Sequence, residues 1–71
     1  MIKVGKFYKT CYGLAWYDNT GNYIKLGADS IIFCLQARYE LDFDIIHITI
    51  LSEFGQLNRT LYKASIEFVS L

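Results

Sequence analysis

Seven residues near the middle of the chain, Ile45-Ile46-His47-Ile48-Thr49-Ile50-Leu51, alternate with a period of two. Ile46, Ile48 and Ile50 fall on one face, and His47 and Thr49 fall on the other between apolar ends. Successive side chains of a strand point to opposite faces, and β-branched residues suit a pleated, half-buried surface. The segment therefore predicts a strand with one buried face. Its register is fixed, because a slip of one residue would expose the whole apolar set.

Two further segments alternate in the same way. In one, Ile31, Phe33, Leu35, Ala37 and Tyr39 share a face opposite Cys34, Gln36 and Arg38. In the other, Tyr62, Ala64, Ile66 and Phe68 oppose Lys63, Ser65 and Glu67. A short helix competes with strand over Leu61 to Val69, where Leu61, Ala64, Ser65 and Phe68 have helical spacing and Asn58 or Thr60 could cap it. Strand is favoured, since β-branched and aromatic residues dominate the last positions. The first third is less regular. Ile2, Val4 and Tyr8 suggest an opening strand, and Gly13 to Tyr17 with Tyr23 to Leu26 flank Asp18-Asn19-Thr20-Gly21-Asn22 as a hairpin.

The chain contains no proline, so its turns come from Gly, Asn and Asp. They are expected at Asp18–Asn22, Gly27–Ser30, Glu40–Asp44 and Gly55–Asn58. Turn signals at this spacing between β-branched and aromatic runs mark a small all-β fold. A length of 71 residues suffices for one domain, residues 1–71, and not for two. Five or six short antiparallel strands in a chain of this size cannot lie flat without leaving a naked face, so a small barrel or sandwich is expected. Its expected core is Val4, Phe33, Leu35, Ile46, Ile48, Ile50, Ile66 and Phe68.

The order of these features resembles an SH3-like small β-barrel. Val4-Gly5-Lys6-Phe7-Tyr8 is similar to the first strand of many such domains, and Ala64-Ser65-Ile66-Glu67-Phe68-Val69 to their last. Between them lie a longer hairpin, two central strands and a short turn at Phe54-Gly55-Gln56. Leu14-Ala15-Trp16-Tyr17-Asp18 resembles the aromatic stretch of peptide-binding SH3 domains, with Trp16 and Tyr17 at its aromatic positions. The resemblance implies an all-β barrel that binds other proteins. The compact chain is also similar in style to many small bacteriophage proteins. That likeness implies a virion component or a small inhibitor of a host protein, located in a virion or in the cytoplasm of a host cell or bacterium.

Composition narrows the function classes. Hydrophobic residues make up 54% of the chain and aromatics 17%, enough for a rich core with apolar surface left over for a partner. Seven Lys+Arg balance seven Asp+Glu. Nucleic-acid binders draw most of their affinity from a basic excess, so this balance argues against that class and for self-association or a protein partner. Cys11 and Cys34 form no CxxC pair and are expected as two buried thiols in a reducing compartment. With His47 alone they cannot complete a zinc site. No secretory signal or membrane-spanning run is visible, so secretion and a membrane partner are not expected.

Phe7, Tyr8, Tyr12, Trp16, Tyr17 and Tyr23 crowd into 17 positions. Tyrosine and tryptophan pair a large apolar body with a polar tip, which suits interfaces. Trp16 and Tyr17 are adjacent, so on a strand they point to opposite faces and one must lie outside the core. The expected partner surface is Tyr12, Trp16, Tyr17 and Tyr23. The alternative is a single-stranded nucleic-acid surface formed by Lys3, Lys6 and Lys9 with Phe7 and Tyr8. Glu40, Asp42 and Asp44 share one face of an extended segment, but the glycine and further oxygens of a calcium loop are missing. The sequence contains no Gly-rich phosphate loop and no GxSxG elbow, and no catalytic residue, metal or cofactor is expected. The leading expectation is a protein–protein interaction module rather than an enzyme.

Overall fold

A computed structural model describes residues 2–62 and 68–71. Every element among these residues is a strand: β1 (Phe7–Thr10), β2 (Leu14–Tyr17), β3 (Tyr23–Leu26), β4 (Ile31–Glu40), β5 (Ile45–Ser52), β6 (Gly55–Tyr62) and β7 (Phe68–Ser70). They form one antiparallel sheet in the order β3-β2-β6-β5-β4-β1-β7. The sheet curls into a half-barrel. Five strand spacings separate β2 from β7, which in a flat sheet would be roughly 24 Å. Yet the rings of Trp16 on β2 and Phe68 on β7 lie 6.5 Å apart. The curl brings both ends of the sheet onto one core.

That core is lined by Trp16, Leu26, Ile32, Cys34, Ile46, Ile48, Ile50, Leu57 and Leu61, with Ile2 and Tyr8 at one end. The alternation of β5 holds as expected: Ile46, Ile48 and Ile50 are all buried. The hairpin of β2 and β3 also forms as expected, pairing Leu14 with Leu26 and Tyr17 with Tyr23. Its turn closes on Asp18, whose Oδ1 accepts bonds from Thr20 N, Thr20 Oγ1 and Asn22 N. Gly21 there has φ of 85°, a conformation that suits glycine.

Thr10, the buried polar residue of the core, holds the β3–β4 connection. Its hydroxyl donates to Gly27 O and accepts from Ser30 N, while its backbone bonds Ser30 O and Asp29 N. The turn between β4 and β5 falls at residues 41–44, as expected.

Four expectations are corrected. Val4 is not core: it is 59% exposed in a turn completed by Gly5 at φ 82°. Ile2 takes the core position, and its carbonyl accepts from the Tyr39 hydroxyl at 3.0 Å. Leu35 and Phe33 do not face the core either. The β4–β5 register shifts between Cys34 and Gln36, which leaves Leu35 as the extra residue of a bulge. On one side of the bulge Ile32 and Cys34 point inward, and on the other Ala37 and Tyr39 do. A single alternation across Ile31–Tyr39 is therefore broken in the middle. The turn expected at Gly55–Asn58 lies earlier, at Glu53 and Phe54, and β6 begins at Gly55. Its start is set by Ser52, whose hydroxyl donates to Gly55 O and accepts from Phe54 N. Among the described residues the sheet has seven strands rather than five or six, with β6 described through Tyr62 and β7 from Phe68. Phe68 packs on the core as expected. The expectations for Lys63, Ala64, Ser65, Ile66 and Glu67 lie outside the described residues.

Candidate functional site

The outer face of the sheet divides at the Leu35 bulge. On one side, cross-strand neighbours form two apolar rows. Ile31, Lys9 and Val69 are opposite one another on β4, β1 and β7. Phe33 is opposite both Phe7 on β1 and Leu51 on β5. The Phe7 and Phe33 rings lie 4.8 Å apart. Leu71 extends this row, because its backbone nitrogen donates to Phe7 O. Phe7, Ile31, Leu51, Val69 and Leu71 are each about half exposed or more. Lys9 is the charged side chain within the rows. Its stem crosses between Ile31 and Val69, and its Nζ reaches Asp29 Oδ1 at 3.8 Å.

On the other side of the bulge the two nearest rows are polar, and a third, Glu40, Ile45 and Tyr62, is mixed. Gln36, Thr49, Asn58 and Tyr17 lie side by side on β4, β5, β6 and β2. Arg38, His47 and Thr60 form the next row. His47 Nδ1 is 2.8 Å from Thr60 Oγ1, and its Nε2 is 3.0 Å from Glu40 Oε1. Arg38 Nη1 lies 3.6 Å from the same carboxylate oxygen. These rows floor an open depression of about 640 Å³. Glu40, His47 and Thr60 follow the order of acid, base and hydroxyl, a set that sequence reading did not find. Its members sit on three different strands, and strand register brings them together. The groups bond mainly to one another, so the row ties β4, β5 and β6 across the sheet.

Arg59 closes the seam where β2 meets β6. The strands pair there only at Tyr17 and Asn58 among the described residues. Arg59 Nη1 donates to the Ala15 carbonyl beyond that pair, and Asn58 Nδ2 donates to Tyr17 O at 3.2 Å. Both bonds replace ladder pairing that the diverging strands lack.

The expected partner surface is only partly assembled. Trp16 is 0% exposed and belongs to the core, so it is corrected out of any contact surface in this fold. Tyr17 points the other way, as adjacency on a strand requires, and its ring meets Tyr23 edge-on at 5.5 Å. Tyr12 is exposed in the segment before β2. The apolar rows do not read as a site in the sequence, because Phe33 and Leu35 read as core and Ile31 shares their face.

The residues of the nucleic-acid alternative are split between faces. Tyr8 is buried and its hydroxyl accepts from Lys3 N at 2.7 Å, so its ring has no face to offer a base. Phe7 and Lys9 lie on the outer face. Lys3 and Lys6 are exposed in the segment before β1.

The two cysteines are also split. The expectation of two buried thiols is corrected: Cys34 is buried, but Cys11 is exposed in the segment between β1 and β2, and both are free. Burial pushes the Cys34 thiol above its usual range, against a contact from its Sγ to Gln36 O. Burial likewise raises the Tyr39 hydroxyl, with smaller contributions from Cys34 and Tyr8. Among the described residues, no three His, Cys, Asp or Glu side chains are grouped to hold a metal ion, and no helix is long and apolar enough to cross a membrane. No family model, curated protein or solved structure matches the chain.

Proposed function

We propose that this chain is a protein–protein interaction module of SH3-like small-barrel type, acting through the apolar half of its outer face. One observation carries the reading. The row through Phe7 presents contiguous apolar side chains to solvent, and beside it Ile31 and Val69 flank the Lys9 stem, on a face that antiparallel sheets normally keep polar. Contiguous exposed apolar surface of this kind marks contact sites rather than ordinary solvated sheet. The Tyr17 and Tyr23 pair, at the far end of the sheet, is a secondary contact. Protein recognition needs neither a cofactor nor a reacting group, and the polar half supplies its own hydrogen-bond partners.

The test is a double variant, Phe7→Ser with Ile31→Ser, compared with Tyr17→Ser. The first is expected to keep the far-ultraviolet spectrum of the wild type and to lose association with any protein partner. The second is expected to retain association. Unchanged association of the double variant would contradict the reading.

A further inference from the structure

We infer that the occupant of the apolar half is a second copy of this chain, docked outer face to outer face about a two-fold axis. The inference rests on the reading of this half as a protein-binding surface.

Size is the first reason. Phe7, Ile31, Phe33, Leu51, Val69 and Leu71 share the surface, and Ile31 and Leu71 are 59% and 65% exposed. Aromatic side chains carry about 150–250 Å² each and the aliphatic ones somewhat less, so the exposed part amounts to roughly 500 Å². That is the larger share of the roughly 800 Å² that each partner contributes to a standard interface. Leu35 and Gln56 border the rows and supply a rim. Two copies together would bury roughly 1,000 Å² of apolar surface, the lower end for a specific interface.

Charge is the second reason. The charge within the rows, Lys9, is balanced by Asp29 on the same chain. The surface is electroneutral as it stands, so a strongly charged partner would leave its own groups unpaired against it. A second copy brings the same apolar rows and the same Lys9 and Asp29 pair. Across a two-fold axis, each Lys9 can meet either its own Asp29 or that of the other copy. Isologous contacts require this kind of self-complementarity. The balanced formal charge of the whole chain also removes long-range repulsion between copies.

Shape is the third reason. The rows lie on β5, β4, β1 and β7, which are consecutive neighbours in one sheet. They form an outward-curving sheet face and not a groove for a single extended segment. Two such faces meet along their central strands, β4 and β1, where Phe7, Ile31 and Phe33 lie.

Sedimentation velocity over a wide range of protein concentration provides the test, using the full chain, Ile31→Glu and Tyr23→Glu. The wild type and Tyr23→Glu are expected to sediment at twice the 8.2 kDa chain mass. Ile31→Glu is expected to dimerise about 30-fold more weakly or worse, as loss of a central anchor does. Its far-ultraviolet spectrum should match the wild type, since Ile31 lies outside the core. A wild type that stays monomeric, or an Ile31→Glu variant that dimerises like wild type, overturns self-association. A photo-crosslinking residue at position 31 separates the two readings if the wild type is monomeric. Crosslinks to a different protein overturn self-association alone, whereas no crosslink at all overturns the protein-binding reading as well.

Discussion

The two halves of the outer face lie on the same sheet over the same core, yet they differ in what their side chains require. On the polar half, Arg38, Glu40, His47 and Thr60 bond to one another, and Asn58 bonds back to β2. Those groups find partners within the chain. On the apolar half, Phe7, Ile31, Leu51 and Val69 have only part of their surface covered by the chain itself. The boundary between the halves is one residue, Leu35, which the register of β4 against β5 leaves unmatched. A bulge re-aims every side chain on one side of it. Here it sends Ile32 and Cys34 inward on one side and Ala37 and Tyr39 inward on the other. The same ten-residue strand thus serves the core throughout while offering water an apolar segment and then a polar one.

Deleting Leu35 is the most severe way to break this division. Without the extra residue, the two halves of β4 cannot both keep their inward sets. Ile32 and Cys34 would turn outward, or Ala37 and Tyr39 would. The expected result is loss of the cooperative transition, a cost comparable to the whole stability of a small domain, about 5 kcal/mol or more. Leu35→Ala keeps the count of residues and should retain the fold. Chemical denaturation of both variants makes the comparison.

A milder test compares the two sides of the sheet beneath the polar half. Ile48→Ala opens a cavity in the core and should cost about 2–5 kcal/mol. Thr49→Ala, one residue along on the outer face, should change stability by less than about 0.5 kcal/mol. Equal costs would mean that the polar half is not a solvated face.

The smallest expected effect concerns acid. The bond from the Thr20 side chain, opposed by desolvation and joined by weaker bonds from Asn22 and the Thr20 backbone, holds the Asp18 carboxyl below its usual range. Its folded pKa is thus lower than its unfolded one. The contribution is complete above the unfolded value, near pH 4, and is lost as pH falls through the folded value. The Asp18→Asn variant should show a weaker decline in melting temperature between pH 5 and pH 2, at the extremes of about that range. An identical decline would show that the hairpin turn is not held by the carboxylate.

Much of the fold is legible in the sequence where a single periodicity acts alone. Ile46, Ile48 and Ile50 declare the inner face of β5 because nothing interrupts them. Asp18–Asn22 declares its turn because a carboxylate, a hydroxyl and a glycine each have a defined place in it. Trp16 and Tyr17 declare opposite faces by adjacency alone, although not which of them is inside. Curl decides that question, since it carries Trp16 over Phe68 from the other end of the sheet. The bulge is not legible, because Ile31, Ile32, Phe33, Cys34 and Leu35 are all apolar and fit either register equally well. Only pairing with β5 and β1 selects one. The candidate surface was hidden for the same reason: its members on β4 read as core, and its members on β1, β5 and β7 come together only through strand order. Likewise, Glu40, His47 and Thr60 are far apart in the chain and adjacent only through register.

Neighbouring isoleucines on β4 offer the most direct test of the divided outer face. Ile31 is 59% exposed and Ile32 is 1% exposed. Each is replaced by alanine, and unfolding is followed in denaturant at a protein concentration low enough for the chain to be monomeric. Ile32→Ala is expected to cost about 2–5 kcal/mol, and Ile31→Ala to stay within about 0.5 kcal/mol of the wild type. An unbroken alternation from Ile31 to Tyr39 would give the reverse order. A large loss for Ile31→Ala with little for Ile32→Ala would contradict the bulge, the division of the outer face and the surface built on it.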